Sequence, residues 1–190
     1  QKLEKAGAKL KPGWPVGFKI EELNRNYRFH LDAFDFSVEP AEQQQAERKE
    51  AAASGKVLPG LVTFADWQQQ NFRRLGYRAK WQSYFDEVDV FLSPVAFTAA
   101  FEHDHSEPHE KRKIATVNGP RDYDDMLSWI APATLTGCPA TIAPVGRGES
   151  GLPIGLQIMG PYWEDATPIV FAKLLAQVVG EFVAPNGYEG

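Results

Sequence analysis

The pattern of apolar positions in the last third of the chain predicts a β-hairpin. Residues 140–145 form a short apolar run that is typical of a strand, and residues 153–159 place apolar side chains on one face at every second position. The linker 146–151 is polar, rich in glycine and too short for a helical crossover. We therefore expect the two strands to pair in antiparallel orientation.

Apolar residues at three- and four-residue steps predict helices before this hairpin. An apolar stripe over residues 19–34 indicates a helix that packs on a core, and residues 40–53 indicate a second, mostly polar helix. Thr63 and Asp66 have the spacing of a capping box, which opens a third and longer helix. The first half of the chain is therefore predicted to be mainly helical.

Shorter elements complete the prediction. Residues 1–6 are typical of the last turns of a helix, so the chain is either a fragment or a trimmed form of a longer protein. Residues 8–11 fit a short strand, and residues 89–92 predict a buried strand. Residues 122–133 predict a helix that leads into the hairpin, and Asp165 is expected to cap a last helix.

Together these elements predict the α/β class, with a mixed β-sheet flanked by helices. The chain has 190 residues, of which 43% are hydrophobic, and this is enough for one sizeable core. We expect residues 1–190 to form a single domain or a fragment of one. Its helical middle would lie at about 19–87, and its sheet and pocket-wall part at about 88–190.

The charge balance argues against several classes of partner. The net charge is −5 and the isoelectric point is about 5.4, so no global basic field favours nucleic acid or an anionic membrane. We expect a small-molecule ligand instead. No apolar run reaches the roughly 18 residues of a membrane helix, and the single cysteine, Cys138, is consistent with the cytoplasm. A local basic patch consists of Arg73, Arg74, Arg78 and Lys80.

A histidine cluster offers the pattern closest to a metal site. His103, His105 and His109 lie near Asp104 in the sequence, and imidazole and carboxylate groups are common zinc ligands. The same composition is also typical of a hydrogen-bonded or solvated polar loop. The sequence leaves both interpretations open, and we assign no metal ligand.

No arrangement of residues in this sequence predicts a complete catalytic centre. Ser150 lies in a Gly-Glu-Ser-Gly-Leu segment, but the leucine departs from the nucleophile-elbow pattern, and a hairpin tip is expected to face solvent. Cys138 precedes a strand and fits a small buried residue better than a catalytic thiol. No glycine-rich phosphate loop is present, so we predict no cofactor.

Several segments resemble the amidase signature family. The clearest is residues 151–160, Gly-Leu-Pro-Ile-Gly-Leu-Gln-Ile-Met-Gly, which is close to that family's usual form. Residues 89–94 (Asp-Val-Phe-Leu-Ser-Pro), 135–140 (Leu-Thr-Gly-Cys-Pro-Ala) and 165–167 (Asp-Ala-Thr) fit in order and spacing. Residues 1–14 resemble the family's Leu-Glu-Lys-Ala-Gly-Ala segment. The resemblance thus covers the C-terminal half of the family, with a divergent helical middle.

The resemblance implies an amide-bond hydrolase similar to amidases and fatty-acid amide hydrolases. Such enzymes use a serine, cis-serine and lysine triad within a Gly-Gly-Ser-Ser-Gly-Gly type region, which has no counterpart here and would precede Gln1. We therefore assign no catalytic residue and expect this chain alone to be inactive. The alternative is a noncatalytic amidase-like module for binding or assembly.

The resemblance also implies a pocket-lining helix that carries Asp124, Leu127 and Ala131, whose spacing places them on one helix face. In the glutamine-using amidotransferase branch we expect an acidic residue at the position of Leu127. The leucine implies an apolar acyl or aryl amide as substrate, with Asp124 as a polar edge. The alternative is that Leu127 and Ala131 are ordinary core residues.

A half-fold of this kind would leave strand edges and apolar faces uncovered. We therefore expect a homo-oligomer or a domain swap through an exposed sheet edge.

Overall fold

The computed structural model describes residues 1–55, 57–58, 60–184 and 187–188. The α-helices are α1 (Lys2–Lys5), α2 (Ile20–Val38), α3 (Ala41–Ser54), α4 (Phe64–Phe85), α5 (Ala131–Thr136) and α6 (Ala166–Val179). The strands are β1 (Phe91–Pro94), β2 (Lys113–Ile114), β3 (Arg121–Asp122), β4 (Ala140–Arg147) and β5 (Pro153–Met159). Two 3₁₀ helices span His109–Lys111 and Tyr123–Ser128, and the second is called the 3₁₀ segment below.

The main sheet has the strand order β1-β5-β4, and both pairs of strands are antiparallel. This confirms the predicted hairpin and the α/β class, and the part of the sheet described here is antiparallel. The register shifts between Pro144 and Gly146, where the backbone of β4 is irregular. Leu156 and Ile158 pack with Leu175 of α6, whereas Ile154, beyond the irregularity, is 42% exposed.

The long helix α4 begins as the sequence predicts. The Thr63 hydroxyl accepts a hydrogen bond from the Asp66 backbone N–H at 3.1 Å, and the Thr63 N–H donates to the Asp66 carboxylate at 3.3 Å. This is the reciprocal capping box, which satisfies two backbone donors at the helix start. Near its other end, α4 places Trp81 in the core, fully buried against Phe91 and Met159.

Two further core clusters hold the helices on the sheet. Leu23 and Tyr27 of α2 pack with Ala131 and Leu135 of α5, which joins the helical half to the turn before the hairpin. On the other side of the sheet, α6 packs on the hairpin. That cluster consists of Ala143, Ile158 and Leu175, with Phe171 and Val179 beside them. None of the helices within the described ranges is long and apolar enough to cross a membrane.

The structure corrects the predicted helix over residues 122–133. The chain forms the 3₁₀ segment and then a separate helix α5, which begins at Ala131 with Pro132 in its first turn. The reason is Pro132, because it has no backbone N–H to bond the carbonyl of Ser128 and cannot continue a helix from that side. Pro132 therefore starts a new helix and separates the predicted helix into two elements.

Two smaller predictions are also wrong. Residues 8–11 do not form a strand in the described chain, and Leu10 is 49% exposed, so this segment lacks the burial that an apolar strand needs. Asp165 occupies the N-cap position of α6, but its side chain makes no capping hydrogen bond. Its own backbone is already helical, whereas the capping geometry requires an extended residue.

Gly160 is expected to be intolerant of a side chain. It follows β5, and a Cβ atom at this position would lie 2.6 Å from the Pro168 ring, which is itself buried. We predict that Gly160→Ala lowers the free energy of unfolding by about 1–3 kcal/mol, because the rigid ring and the strand cannot both move aside. Urea denaturation followed by circular dichroism measures this change.

Gly76→Ala is the matched control for this substitution. A Cβ atom at Gly76, on an exposed part of α4, would meet nothing within 4 Å. The same change should therefore raise the free energy of unfolding by about 0.5–1 kcal/mol through helix propensity. Equal effects at the two positions would contradict the predicted clash at Gly160.

Candidate functional site

A cavity of about 880 Å³ lies between helix α2 and the 3₁₀ segment. One wall consists of side chains from α2, and the other consists of the 3₁₀ segment with the residues on either side of it. The lining residues are Trp14, Ile20, Glu21, Asn24, Arg25, Tyr27, Arg28, Phe29, Asp32, Arg121, Asp124, Asp125, Leu127, Ser128 and Trp129. The cavity thus combines aromatic and aliphatic surface with charged groups.

Two of the three predicted pocket residues line this cavity. Asp124 and Leu127 lie three residues apart in the 3₁₀ segment, and three residues make one turn of a 3₁₀ helix, so both face the same side. Ala131 does not line it: this residue is fully buried and packs with Leu23 and Tyr27 behind the wall. The expectation of one continuous helix face is therefore wrong, because α5 begins only at Ala131.

Leu127 contacts both the cavity and the core. It lines the cavity, and it is also half-buried against the core cluster that contains Leu23, Ala131 and Leu135. The two interpretations of this residue from the sequence are thus not exclusive in geometric terms. Its role in binding a substrate remains a prediction.

Two stacked aromatic side chains, Trp14 and Trp129, line part of the cavity. The ring of Trp14 stacks on the ring of Trp129 with a centroid distance of 6.0 Å and an interplanar angle of 14°. Trp14 also stacks on Phe18 at 5.2 Å and packs against Phe91 at 4.9 Å, so the core holds its position. A planar apolar group can lie against such a surface.

The carbonyl of Trp129 is fixed from the sheet. The Gln157 side-chain amide donates hydrogen bonds to the Trp129 carbonyl at 2.9 Å and to the Ser93 hydroxyl at 3.1 Å. Gln157 and Ser93 are both buried and lie opposite each other on β5 and β1. The cavity wall is therefore bonded to the central strand of the sheet.

Ion pairs cross and border the cavity. The Arg28 guanidinium donates to a carboxylate oxygen of Asp124 at 3.2 Å and to the Asp124 backbone carbonyl at 2.6 Å. Arg121 donates to Asp125 at 3.0 Å. Burial raises the pKa of the Asp32 carboxyl, although the charge of Arg28 opposes that effect.

The sequence did not indicate Arg28, Trp14 or Trp129 as pocket residues. Arg28 and Asp124 are 96 residues apart in the chain, and no local pattern connects them. The one available signal was the Pro-Gly-Trp-Pro segment around Trp14, which marked an irregular backbone with an aromatic residue.

The histidines do not come together. The ring centroids of His103 and His105 are 5.8 Å apart. His109 lies elsewhere: its Nδ1 is 3.8 Å from an Asp124 carboxylate oxygen, and its ring packs on Tyr123. Across the part of the chain that the structure describes, no group of three or more histidine, cysteine or acidic side chains could hold a metal ion.

Most of the basic patch contacts the protein itself. Arg78 donates to the Thr136 carbonyl at 2.6 Å and stacks on the Tyr162 ring, and Lys80 donates to the Gly17 carbonyl at 2.7 Å. Arg73 and Arg74 donate to side-chain oxygens three residues earlier in α4. Each of the four basic side chains thus has a neutral hydrogen-bond acceptor within the chain.

The two candidate nucleophiles have unfavourable surroundings. Ser150 is exposed at the tip of the hairpin, as expected. Cys138 is buried, and burial raises the pKa of its thiol, although a hydrogen bond with Thr136 and the charge of Arg78 partly oppose this effect. A protonated thiol is a poor nucleophile, so this environment suits a structural residue.

Comparison with known proteins identifies the family. The sequence profile of the Amidase family matches residues 22–168. Fatty acid amide hydrolase of Medicago truncatula is 33% identical over 97 residues, which cover 51% of this chain and 15% of that protein. Fatty acid amide hydrolase of Arabidopsis thaliana is 43% identical over 95 residues, which cover 50% of this chain and 15% of that protein.

The fold agrees with this assignment. A crystal structure of an amidase superposes with a TM-score of 0.71 at 21% identity, and the superposition covers 94% of this chain and 40% of that one. The chain therefore belongs to the amidase family, as its signature segments indicate. It spans less than a fifth of the length of the two relatives named above.

Titration of Cys138 is expected to weaken the fold at alkaline pH. The folded thiol keeps its proton to a higher pH than the unfolded thiol, whose pKa is about 8.5. Its contribution to stability is therefore complete below that unfolded value and is lost as the pH rises through the folded pKa. We predict that the unfolding free energy of the native chain falls relative to that of Cys138→Ala as the pH rises above the unfolded thiol pKa of about 8.5.

Denaturation of the two proteins across this range measures the difference. Both contain the same tyrosines, so tyrosine titration cancels. A constant difference would contradict the proposed burial of a neutral thiol.

Proposed function

We propose that this chain forms the C-terminal portion of an amidase-type hydrolase, which converts a carboxylic amide and water into a carboxylate and ammonia or an amine. The catalytic serine, cis-serine and lysine would come from residues upstream of Gln1, and the present chain alone would be inactive. The observation that carries this proposal is a cavity with Asp124 and Leu127 on its wall in a chain of the amidase family.

The chemistry would be nucleophilic catalysis in two stages. The serine hydroxyl attacks the amide carbonyl, its proton passes to the departing amine, and a serine ester forms. Water then attacks this ester, which releases the carboxylate and restores the hydroxyl. In this scheme the described chain contributes the surface that positions the amide. The proposed location of the protein is the cytoplasm.

The cavity supports an apolar acyl or aryl amide as the substrate class. Leu127, Trp14 and Trp129 place aliphatic and aromatic surface on its walls, and none of these side chains offers a negative charge to the ammonium of a free amino acid. Asp124, which could attract it, is held by Arg28. Both features favour an uncharged ligand over glutamine.

The upstream sequence of the complete gene separates this proposal from the alternative. A lysine followed by a Gly-Ser-Ser-Gly stretch supports the hydrolase. If both are absent and the complete protein hydrolyses no amide, the noncatalytic binding or assembly module is the better interpretation.

The aliphatic wall gives a prediction for the complete protein. We expect Leu127→Asp to lower kcat/KM for apolar amides about tenfold to a hundredfold, because a carboxylate replaces a hydrophobic contact in the pocket. Steady-state assays with an aryl amide measure this effect, and a thermal unfolding scan detects any loss of folded protein.

Leu152→Asp is the control, because it makes the same change at the exposed hairpin tip, where Leu152 is 38% exposed. It should leave both the activity and the melting temperature close to those of the native protein. Unchanged substrate preference in the folded Leu127→Asp protein would remove Leu127 from the pocket.

Self-association through a sheet edge is a further part of the proposal. Within the described residues, β4 pairs only with β5, so its other edge is unpaired, and Ile142 on this strand is 52% exposed. We predict that the 190-residue chain dimerises with rising concentration and that Ile142→Lys weakens this association, because lysine on an edge strand opposes strand pairing.

Sedimentation equilibrium measures both proteins. Ile169→Lys, on the outer face of α6 where Ile169 is 58% exposed, is the matched control and should associate like the native chain. A monomer at all concentrations, or equal effects of the two lysines, would contradict an interface at the edge of β4.

A further inference from the structure

One contact joins the two walls of the cavity. Arg28 on α2 reaches the 3₁₀ segment and binds Asp124 twice, through a carboxylate oxygen at 3.2 Å and through the backbone carbonyl at 2.6 Å. The second bond does not depend on the Asp124 side chain. The arginine therefore links the two walls and, separately, occupies the carboxylate.

Both carboxylate oxygens of Asp124 face groups of this chain. Oδ2 accepts from Arg28, and Oδ1 lies 3.8 Å from His109 Nδ1. A cationic ligand that approaches Asp124 must therefore compete with an arginine that is already in place. The side chains of Arg28 and Asp124 are 34% and 41% exposed, so the pair lies at the cavity rim, where a ligand can reach it.

The other charges of the cavity do not replace Asp124 as a cation site. Asp125 is paired with Arg121. Asp32 lies one turn beyond Arg28 on α2. Burial raises the pKa of its carboxyl, because the charged form of Asp32 is less well solvated there. The fourth carboxylate of the lining, Glu21, is exposed and lies two turns before Arg28 on α2. Asp124 is thus the lining carboxylate whose hydrogen-bonded partner a single substitution of Arg28 removes.

We propose that Arg28 determines the charge specificity of this cavity, because it occupies the Asp124 carboxylate and leaves a site for an uncharged aryl or acyl amide. The inference rests on the proposed function for the class of ligand. Arg28 acts through Asp124 and is therefore a positioning residue. Its loss would expose Asp124 and convert the cavity into one that accepts an aryl or alkyl ammonium group.

Ligand binding to the 190-residue chain tests the proposal without catalysis. The probes are benzamide, which is neutral, and benzylammonium, which carries one positive charge on a similar ring. We expect the native chain to bind benzamide more tightly than benzylammonium in an NMR titration. Arg28→Gln should tighten benzylammonium binding about fivefold, which is the upper range for a half-exposed ion pair.

Arg25→Gln is the matched control. Arg25 lies on the same helix and lines the same cavity, but it belongs to none of the ion pairs found among the described residues. Its substitution removes the same charge without releasing a carboxylate. The gain in benzylammonium binding should therefore be clearly smaller than for Arg28→Gln.

Three more variants identify the group that is responsible. Arg28→Gln with Asp124→Asn should lose the gain, because no carboxylate remains to bind the ammonium. Asp124→Asn alone keeps the bond from Arg28 to the backbone carbonyl, and it should bind benzylammonium less well than the native chain, because the charge of Arg28 is no longer balanced by a carboxylate. Arg28→Lys keeps the charge but cannot reproduce both bonds of the guanidinium, so its gain in benzylammonium binding should be smaller than that of Arg28→Gln.

Several results would overturn the proposal. These are equal gains for Arg25→Gln and Arg28→Gln, a gain that persists in the double variant, or the absence of benzamide binding to the native chain. If Arg28→Gln does not fold, unchanged benzylammonium binding by Asp124→Asn overturns it equally. Amide hydrolysis by the complete protein is a separate measurement, so a failure of the proposed function is recognised independently.

Discussion

The structure depends on the packing of aromatic rings around Trp81. This side chain is fully buried, and its ring contacts Phe18 at 5.2 Å and Phe91 at 4.9 Å, which belong to the N-terminal segment and to strand β1. Trp14 packs on the edge of the same cluster and extends it to Trp129. The cluster therefore joins helix α4, the sheet and the cavity wall, which are distant in sequence. Large buried rings suit this task, because each of them removes much apolar surface from water.

A second contact from α4 fixes the turn between the cavity wall and the hairpin. Helix α5 ends at Gly137, whose backbone is left-handed, with φ of 72°. Such an ending leaves carbonyl groups without helical partners, and Arg78 donates to one of them, that of Thr136. The guanidinium also lies 4.0 Å from the centre of the Tyr162 ring, just beyond β5. Arg78, which belongs to the basic patch, thus connects the residue Thr136 before β4 with Tyr162 after β5.

Local patterns were sufficient for most of the secondary structure. The alternation in β5, the stripe of α2 and the capping box of Thr63 each express a preference that the tertiary structure also satisfies. The prediction of one helix over residues 122–133 was wrong. It followed the helical spacing of the apolar residues and did not allow for Pro132, which cannot continue a helix from the residues before it. The family resemblance pointed to Asp124 and Leu127 as substrate-binding residues, and both line the cavity. It could not place Arg28, because a contact across 96 residues depends on how α2 packs against α5.

The hydrogen bond from Gln157 to Trp129 makes the width of the cavity a property of the sheet. Moving Trp129 outward would leave the buried amide without one of its two acceptors, at a cost of about 1–3 kcal/mol. Because side chains alternate along a strand, a slip of β5 by one residue would turn Gln157 to the opposite face and release the wall. The shape of the cavity therefore depends on the register of β5, although Gln157 itself does not line the cavity. Variation within the hairpin can therefore change the shape of the cavity, even where no lining residue changes.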